Sequence, residues 1–281
     1  MVTTGIVSLD DSGNYFIPQA LKPGLKELNQ AFFFPVMATL TEKVKICFRN
    51  DGPKGYTYGE MPAEVVDLLE KKIPDCDIAL EQILDPVMEL RKGPICTILD
   101  LGCGGGNLSR ALSRRFTDAV IYAVDYNTTA IKRATENPNY PNVNNIQFLC
   151  LDAKALPSEW TNMFDWVILY DVLHDLSGHV KAMDEVRRVL KEDGIVSLND
   201  PDLHSNVRDN IGDTDVAGVG YAISTVICLP SSMSDGEQSG HGMGWGTENK
   251  EEFLTNAGWV VTDKRKVGSH LALNFTCVKK E

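Results

Sequence analysis

The sequence predicts an α/β protein: a doubly wound, mostly parallel sheet of seven strands, with an N-terminal hairpin and helices ahead of it. Three observations carry the prediction. From Ile95 onward short apolar runs alternate with helical patterns, as in a parallel sheet covered on both faces. The first run, Thr97 to Leu101, meets a turn crowded with Gly102, Gly104, Gly105 and Gly106 before a helical pattern begins at Leu108. The last two runs are joined by a short turn, which makes them antiparallel.

Bulk properties narrow the class. A chain of 281 residues suggests one or two domains, and 43% hydrophobic with 23% charged residues describes a globular protein. The net charge of −12 opposes general attraction to phosphate backbones, so no nucleic-acid partner is expected. Seven cysteines without a CxxC pair point to a reducing, cytoplasmic setting. No signal-peptide pattern follows Met1, and the longest apolar run, Ala31 to Leu40, is short and interrupted by Pro35, so no membrane span is expected.

In chain order, Ile6 to Leu9 and Tyr15 to Ile17 flank the turn Asp10-Asp11-Ser12-Gly13 and read as a hairpin. Gln30 to Phe48 reads as one apolar helix. Pro62 opens a helix with Val65, Leu68 and Leu69 on one face, and Asp77 to Lys92 forms another. Residues 1–55 are therefore taken as an accessory region and 56–281 as the main domain, with an insertion around 201–246. Strands are expected at 97–101, 119–125, 146–152, 164–171, 194–200, 259–267 and 270–278. Val216 to Cys228 reads as a helix, and another runs from a Thr247 cap to Gly258.

The glycine turn brings backbone close to a ligand, since glycine has no Cβ to hold it off. Asp100 precedes the turn and places an anion there, which repels a pyrophosphate and attracts an ammonium or sulfonium. The strict dinucleotide fingerprint also fails: the sixth position is Asn107 counted from Gly102 and Ser109 counted from Gly104. Asp125 ends the next strand, where a carboxylate accepts from both ribose hydroxyls. Asp152, with Ala153 beside it, ends the third, where side chain and backbone meet an adenine edge. Three acidic strand ends around one glycine turn suit a ligand with ribose, adenine and positive charge.

The ordered run DLGCGGGNLSRAL, VDYN, CLDAKALP, FDWVILYDVLHDL and RRVLKEDGIVSLNDP resembles the motifs of class I S-adenosylmethionine-dependent methyltransferases, over roughly 95–281. The resemblance implies a Rossmann-like methyltransferase fold and S-adenosyl-L-methionine as cofactor. It maps the family's cofactor positions onto Asp100, Gly102, Gly104, Asp125, Asp152 and Ala153, with Tyr170 and Asp171 beneath the methionine moiety. DVLHDL and LPSSMSDGEQSGHGMGWGTENKEEFLTNAGW are similar to a subgroup with an N-terminal winged-helix domain, whose wing the hairpin resembles. The helices that precede the wing in that subgroup have no counterpart here, so the region is expected to be reduced to the wing plus helices.

Methyl transfer needs in-line alignment, exclusion of water and sometimes a base. His174, just beyond the fourth strand, is the candidate base, with Asp171 one helical turn before it placed to orient it; the alternative is a histidine that caps the next helix. A metal reading would use Asp171 and Asp200, but metal-dependent members place a third oxygen where this chain has Pro201, so no metal is expected. The insertion, with Met233, Met243 and Trp245 among its glycines, reads as a flexible apolar lid. The resulting expectation is methyl transfer to a small apolar or aromatic acceptor, with a homodimer as a compatible assembly. The competing expectations are a non-catalytic S-adenosylmethionine-binding protein and a nicotinamide-dependent oxidoreductase. A nucleic-acid methyltransferase would carry an Asp/Asn-Pro-Pro-Tyr/Phe motif where this chain has Tyr170-Asp171-Val172.

Overall fold

A computed structural model describes residues 8–21, 33–71, 76–137, 144–211, 217–267 and 272–280. Its main sheet holds β3 (Thr97–Leu101), β4 (Val120–Asp125), β5 (Ile146–Cys150), β6 (Phe164–Tyr170), β7 (Leu190–Pro201), β8 (Trp259–Lys266) and β9 (Ala272–Lys279) in the order β5-β4-β3-β6-β7-β9-β8. All neighbours are parallel except at β9, which runs antiparallel to both β7 and β8. The expected seven-stranded doubly wound sheet is therefore present. The chain winds outward from β3 through β5, then returns to β6 on the other side of β3, so the switch point lies between the carboxyl ends of β3 and β6.

Period-two alternation sorts the core into two faces. Along β6, Trp166 and Ile168 face α4 (Cys76–Leu90) and α5 (Asn107–Arg115), where Leu80, Ile83, Leu84, Leu108 and Leu112 are buried. Val167 and Leu169 face the opposite way, toward Met183 and Val186 of α7 (His179–Val189) and Leu254 of α10 (Thr247–Asn256). α6 (Thr128–Glu136) starts after Asp125 with Asn127 as its cap, the side chain accepting from Thr129 and Ala130. Among the described residues no helix is long and apolar enough to cross a membrane.

The N-terminal hairpin forms as β1 (Ser8–Leu9) and β2 (Tyr15–Phe16), a separate antiparallel pair closed by Asp10, whose carboxylate accepts from the Ser12 and Asn14 N–H groups. Residues 1–7 of that reading lie outside the described residues, as does Val216. The single helix expected over Gln30 to Phe48 is two, α1 (Phe33–Ala38) and α2 (Thr41–Cys47), with 30–32 not described. The Thr39 and Leu40 N–H groups turn back three residues, to Val36 and Met37, and end the first helix there. α3 (Ala63–Lys71) follows Pro62 as expected.

The insertion also departs from expectation. α8 (Ala217–Val226) and α9 (Cys228–Ser232) replace one helix because Pro230 has no N–H to donate to the Val226 carbonyl. Tyr56 takes that carbonyl instead, through its hydroxyl at 2.5 Å, while its own N–H donates to the Pro230 carbonyl. A third apolar cluster forms around this contact, joining Leu40, Val44, Met61 and Val65 to Leu203, Ile227 and Met243. Met243 and Trp245 are buried, so that end of the expected flexible lid is packed rather than free. Thr247 is not a cap. Gly246, at φ 83°, holds that position, and the Thr247 hydroxyl donates to Asp202.

The foot of the sheet is pinned by one buried carboxylate. Asp165 accepts from the Cys96 and Thr97 N–H groups and pairs with Arg91 at 2.5 Å and Lys191 at 2.9 Å. Burial pushes its pKa up, but Lys191 and the two N–H groups outweigh this and hold it below the usual range. A depressed folded pKa stabilises the fold above the ordinary carboxylate range, and that contribution fades as pH falls through the folded value. Asp165→Ala should cost about 3–5 kcal/mol in urea unfolding at neutral pH, and the gap from the parent should narrow in acid.

Candidate active site

At the switch point the backbone alone shapes a hollow. The Gly102 and Cys103 N–H groups both donate to the Val124 carbonyl, at 2.7 and 2.9 Å, which folds the turn against the end of β4. Gly102 and Gly104 have φ of 83° and 50°, the left-handed region that glycine enters without strain. A Cβ on Gly102 would run into Val172, 2.4 Å away, whereas a Cβ on Gly104 would meet nothing within 4 Å. Gly104 therefore faces open space and marks where a ligand can approach the backbone.

One of the predicted carboxylates, Asp125, holds that turn, and a second, Asp100, is buried at the end of β3. Asp125 accepts from the Gly104 N–H at 2.9 Å and the Asn127 N–H at 2.8 Å, which fixes the turn and the start of α6 together. Burial raises its pKa against the pull of those two bonds. Each oxygen keeps acceptor capacity for a ligand hydroxyl. Asp100 is fully buried and accepts the Ser109 hydroxyl at 2.5 Å. Burial, opposed by Ser109 and assisted by Asp125, pushes its pKa up to about 6.

The other predicted cofactor residues are arranged more loosely. β5 ends at Cys150, so Asp152 lies past the strand, exposed, where it accepts the Lys154 N–H at 2.9 Å and starts a turn. Ala153 packs against the core beside it. Lys154 bonds Asp235 and thereby ties the insertion to this edge. Tyr170 ends β6, half-buried, its pKa raised to about 12 by burial. Asp171 then adopts φ 59°, rare for a residue with a Cβ, and its N–H donates to the Asn199 carbonyl at 2.7 Å.

That kink delivers His174 into a short turn, Leu173–Asp175, where the ring is buried. Its orienting partner is not Asp171, as the spacing suggested, but Asp200 at the end of β7. Asp200 Oδ1 lies 2.9 Å from Nδ1, whereas Asp171 Oδ1 is 3.9 Å from Nε2 because the turn is too short to bring it closer. Asp200 is itself 3.3 Å from the buried Lys250 Nζ, which donates to the Pro201 carbonyl. Asp175 Oδ1 lies 3.2 Å from Nε2, and its second oxygen accepts the Tyr58 hydroxyl. Burial lowers the His174 pKa, but Asp175 and Asp200 push harder and hold it well above the ordinary value. Asp171 and Asp200, the two oxygens considered for a metal, stand nearest different ring nitrogens of His174.

Sequence reasoning missed Tyr58, Cys228 and Lys250. Tyr58 opens a single short 3-10 turn, Tyr58–Glu60, too brief to show periodicity, and Cys228 begins the helix after the break. Lys250 carries a signal visible afterwards: a lone lysine on the buried side of α10. His179 lies apart from His174, packed with His241, Trp245 and Phe253.

Residues 92–255 match the family described as methyltransferase domain. The chain belongs to that family, and its sheet order and switch-point turn are those of a class I methyltransferase. It is 34% identical over 105 residues to the malonyl-(acyl-carrier protein) O-methyltransferase of Acetivibrio thermocellus, a stretch covering 36% of this chain and 34% of that protein. Matches to the curated relatives span between a third and a half of their length. A putative O-methyltransferase from Nostoc punctiforme superposes with a TM-score of 0.66 at 16% identity, over 99% of this chain and 81% of its own. The mitomycin 7-O-methyltransferase MmcR does so with 0.64 at 14% identity, over 99% and 80%.

Removing the charge that balances Asp200 should be costly. Lys250→Met is expected to destabilise the fold by about 3–5 kcal/mol in urea unfolding, since it strands a buried carboxylate. Lys264→Met, which breaks the exposed pair with Glu251, should change stability by less than about 1 kcal/mol.

Proposed function

We propose that the chain transfers the methyl group of S-adenosyl-L-methionine to a small-molecule acceptor of apolar or aromatic character. The observation that carries the reading is the open face of Gly104, in a turn held by Asp125, with Asp100 buried at the end of β3 and His174 at the same sheet edge. The turn suits the donor: a missing Cβ leaves room for it, and the buried Asp100 and half-buried Asp125 carboxylates match its ammonium and ribose. When bound, the donor supplies an electrophilic methyl on a sulfonium.

The chain's own residues do the rest. Asp100 attracts the ammonium, Asp125 accepts from the ribose hydroxyls, and Asp152 with Ala153 borders the adenine. Tyr170 and Asp171 lie under the methionine arm. When the acceptor displaces Asp175 from Nε2, the proton shared there leaves on the Asp175 carboxylate, and the freed Nε2 takes the acceptor's proton while Asp200 fixes the ring through Nδ1. Tyr58 and residues 217–246 of the insertion cover this space and exclude water.

Related names and whole-chain likeness support a small acceptor: O-methyltransferases cover 99% of this chain. The acidic balance, −12, favours it over nucleic acid. The N-terminal region, 1–55, is read as an accessory unit with a winged-helix-like wing, and a homodimer is the assembly to test by light scattering. Seven unpaired cysteines suit a reducing, cytoplasmic setting.

Calorimetry should give S-adenosyl-L-methionine binding that weakens at least about tenfold in Asp125→Ala, with about 1–3 kcal/mol of stability lost as two backbone N–H groups lose their acceptor. Unchanged binding would refute the ribose assignment. Donor affinity should fall as pH drops below about 6, since protonating Asp100 removes its attraction for the ammonium. With an acceptor identified by a labelled-methyl screen of metabolite extracts, His174→Ala should slow transfer by roughly 10²–10⁴-fold while donor binding holds.

A further inference from the structure

We infer that His174 Nε2, Asp175 Oδ1 and Cys228 Sγ form a binding site for a thiophilic divalent cation, with Zn2+ the best match, on the floor of the candidate active site. The inference stands on the geometry of these three side chains and does not depend on methyl transfer. Their donor atoms lie within 4.8 Å of one another, and Nε2 is 3.2 Å from Oδ1. Ligand atoms around a tetrahedral zinc, at bonds of about 2.0–2.3 Å, sit roughly 3.2–3.8 Å apart, so small side-chain shifts close the set. Imidazole, carboxylate and thiolate together select zinc over magnesium or calcium, which take oxygen.

Three further features point to a ligand. Asp175 Oδ1 is buried in a side chain 10% exposed and, among the described residues, meets full hydrogen-bond geometry with none, its near charge being His174 Nε2 at 3.2 Å. The far side of each polar ligand is already held: Asp200 fixes His174 through Nδ1, and the Tyr58 hydroxyl bonds the other Asp175 oxygen. Carboxylate support behind a ligating histidine is the usual outer layer of a zinc site. Asp171, 64% exposed with Oδ1 3.9 Å from Nε2, opens the set to solvent, so that water can complete the coordination.

On binding, the Cys228 thiol and the His174 Nε2–H each lose a proton to solvent, and both lone pairs pass to the cation. Nε2 is then withheld from an acceptor, so the bound cation opposes the base role proposed above. The rival donor pair, His179 and His241 with Nε2 atoms 3.4 Å apart, offers two ligands only, and His241 is stacked flat on Trp245.

The test uses the full chain stripped of metal by a chelator. Zn2+ is titrated in competition with a chromophoric chelator, and Co2+ is added separately to read thiolate-to-cobalt charge transfer in the near ultraviolet. One bound equivalent and a charge-transfer band are expected. Cys228→Ser should abolish the band and weaken Zn2+ at least about tenfold; Asp175→Asn should weaken Zn2+ similarly and keep the band. Cys277→Ser, on β9, should change neither. No bound cation, a band that survives Cys228→Ser, or affinity that follows His241→Gln would each overturn the site. Circular dichroism reports folding of each variant, and Asp175→Asn decides the matter if Cys228→Ser does not fold. Binding is read without turnover, so a negative result strikes the cation site and leaves the methyltransferase reading standing.

Discussion

Asp200 is an ionised carboxylate with almost no contact with water, and the candidate site depends on how its charge is balanced. An isolated charge in the interior costs several kcal/mol, so it must be met by cations and hydrogen bonds. Lys250 reaches it from α10 and His174 from the turn after β6. The same pairing fixes which edge of the imidazole faces β7 and which faces the cleft. One buried anion thus links the last parallel strand, the chemical turn and the helix that precedes the antiparallel strands.

The other half of the site is organised by backbone. Val124 and Asp125 draw the glycine turn against β4, and the open face at Gly104 results from that fold plus the missing side chain. The glycine half consists of carboxylates and N–H groups at strand ends. The half holding His174 adds a buried charged cluster, next to which Tyr56, Tyr58, Met243 and Ile227 pack in a largely apolar group.

Much of this was readable before any coordinates. Strand positions followed from short apolar runs set between helical patterns, because a strand covered on both faces, such as β6, is apolar nearly throughout. The places of Gly102, Gly104 and Asp125 in the fold were legible because they are local to a strand end and a turn. Asp200 and Lys250 were not, since their partnership joins elements 50 residues apart and depends on dryness rather than on a motif. The split of the 30–48 helix was missed because periodicity runs through Thr39, while the reversal there is made by short-range backbone bonds. The break at Ile227 was hidden in the same way: Pro230 announces it, but what the break is for depends on Tyr56. The orienting role went to Asp200 instead of Asp171 because the turn holding His174 is tighter than an α-helix.

The Tyr56 bond to the Val226 carbonyl has a consequence for how the molecule is assembled. Its two ends are separated by 170 positions along the chain. During synthesis the segment that roofs the cleft emerges early but has no seat until the proline-broken helix leaves the ribosome. Contacts of such long loop closure form late, so the five parallel strands, β3 to β7, can pair while the cover is still detached. A nascent chain halted before residue 230 would carry its glycine hollow and strand-end acids uncovered, a form in which ligand capture and closure of the cleft come apart in time.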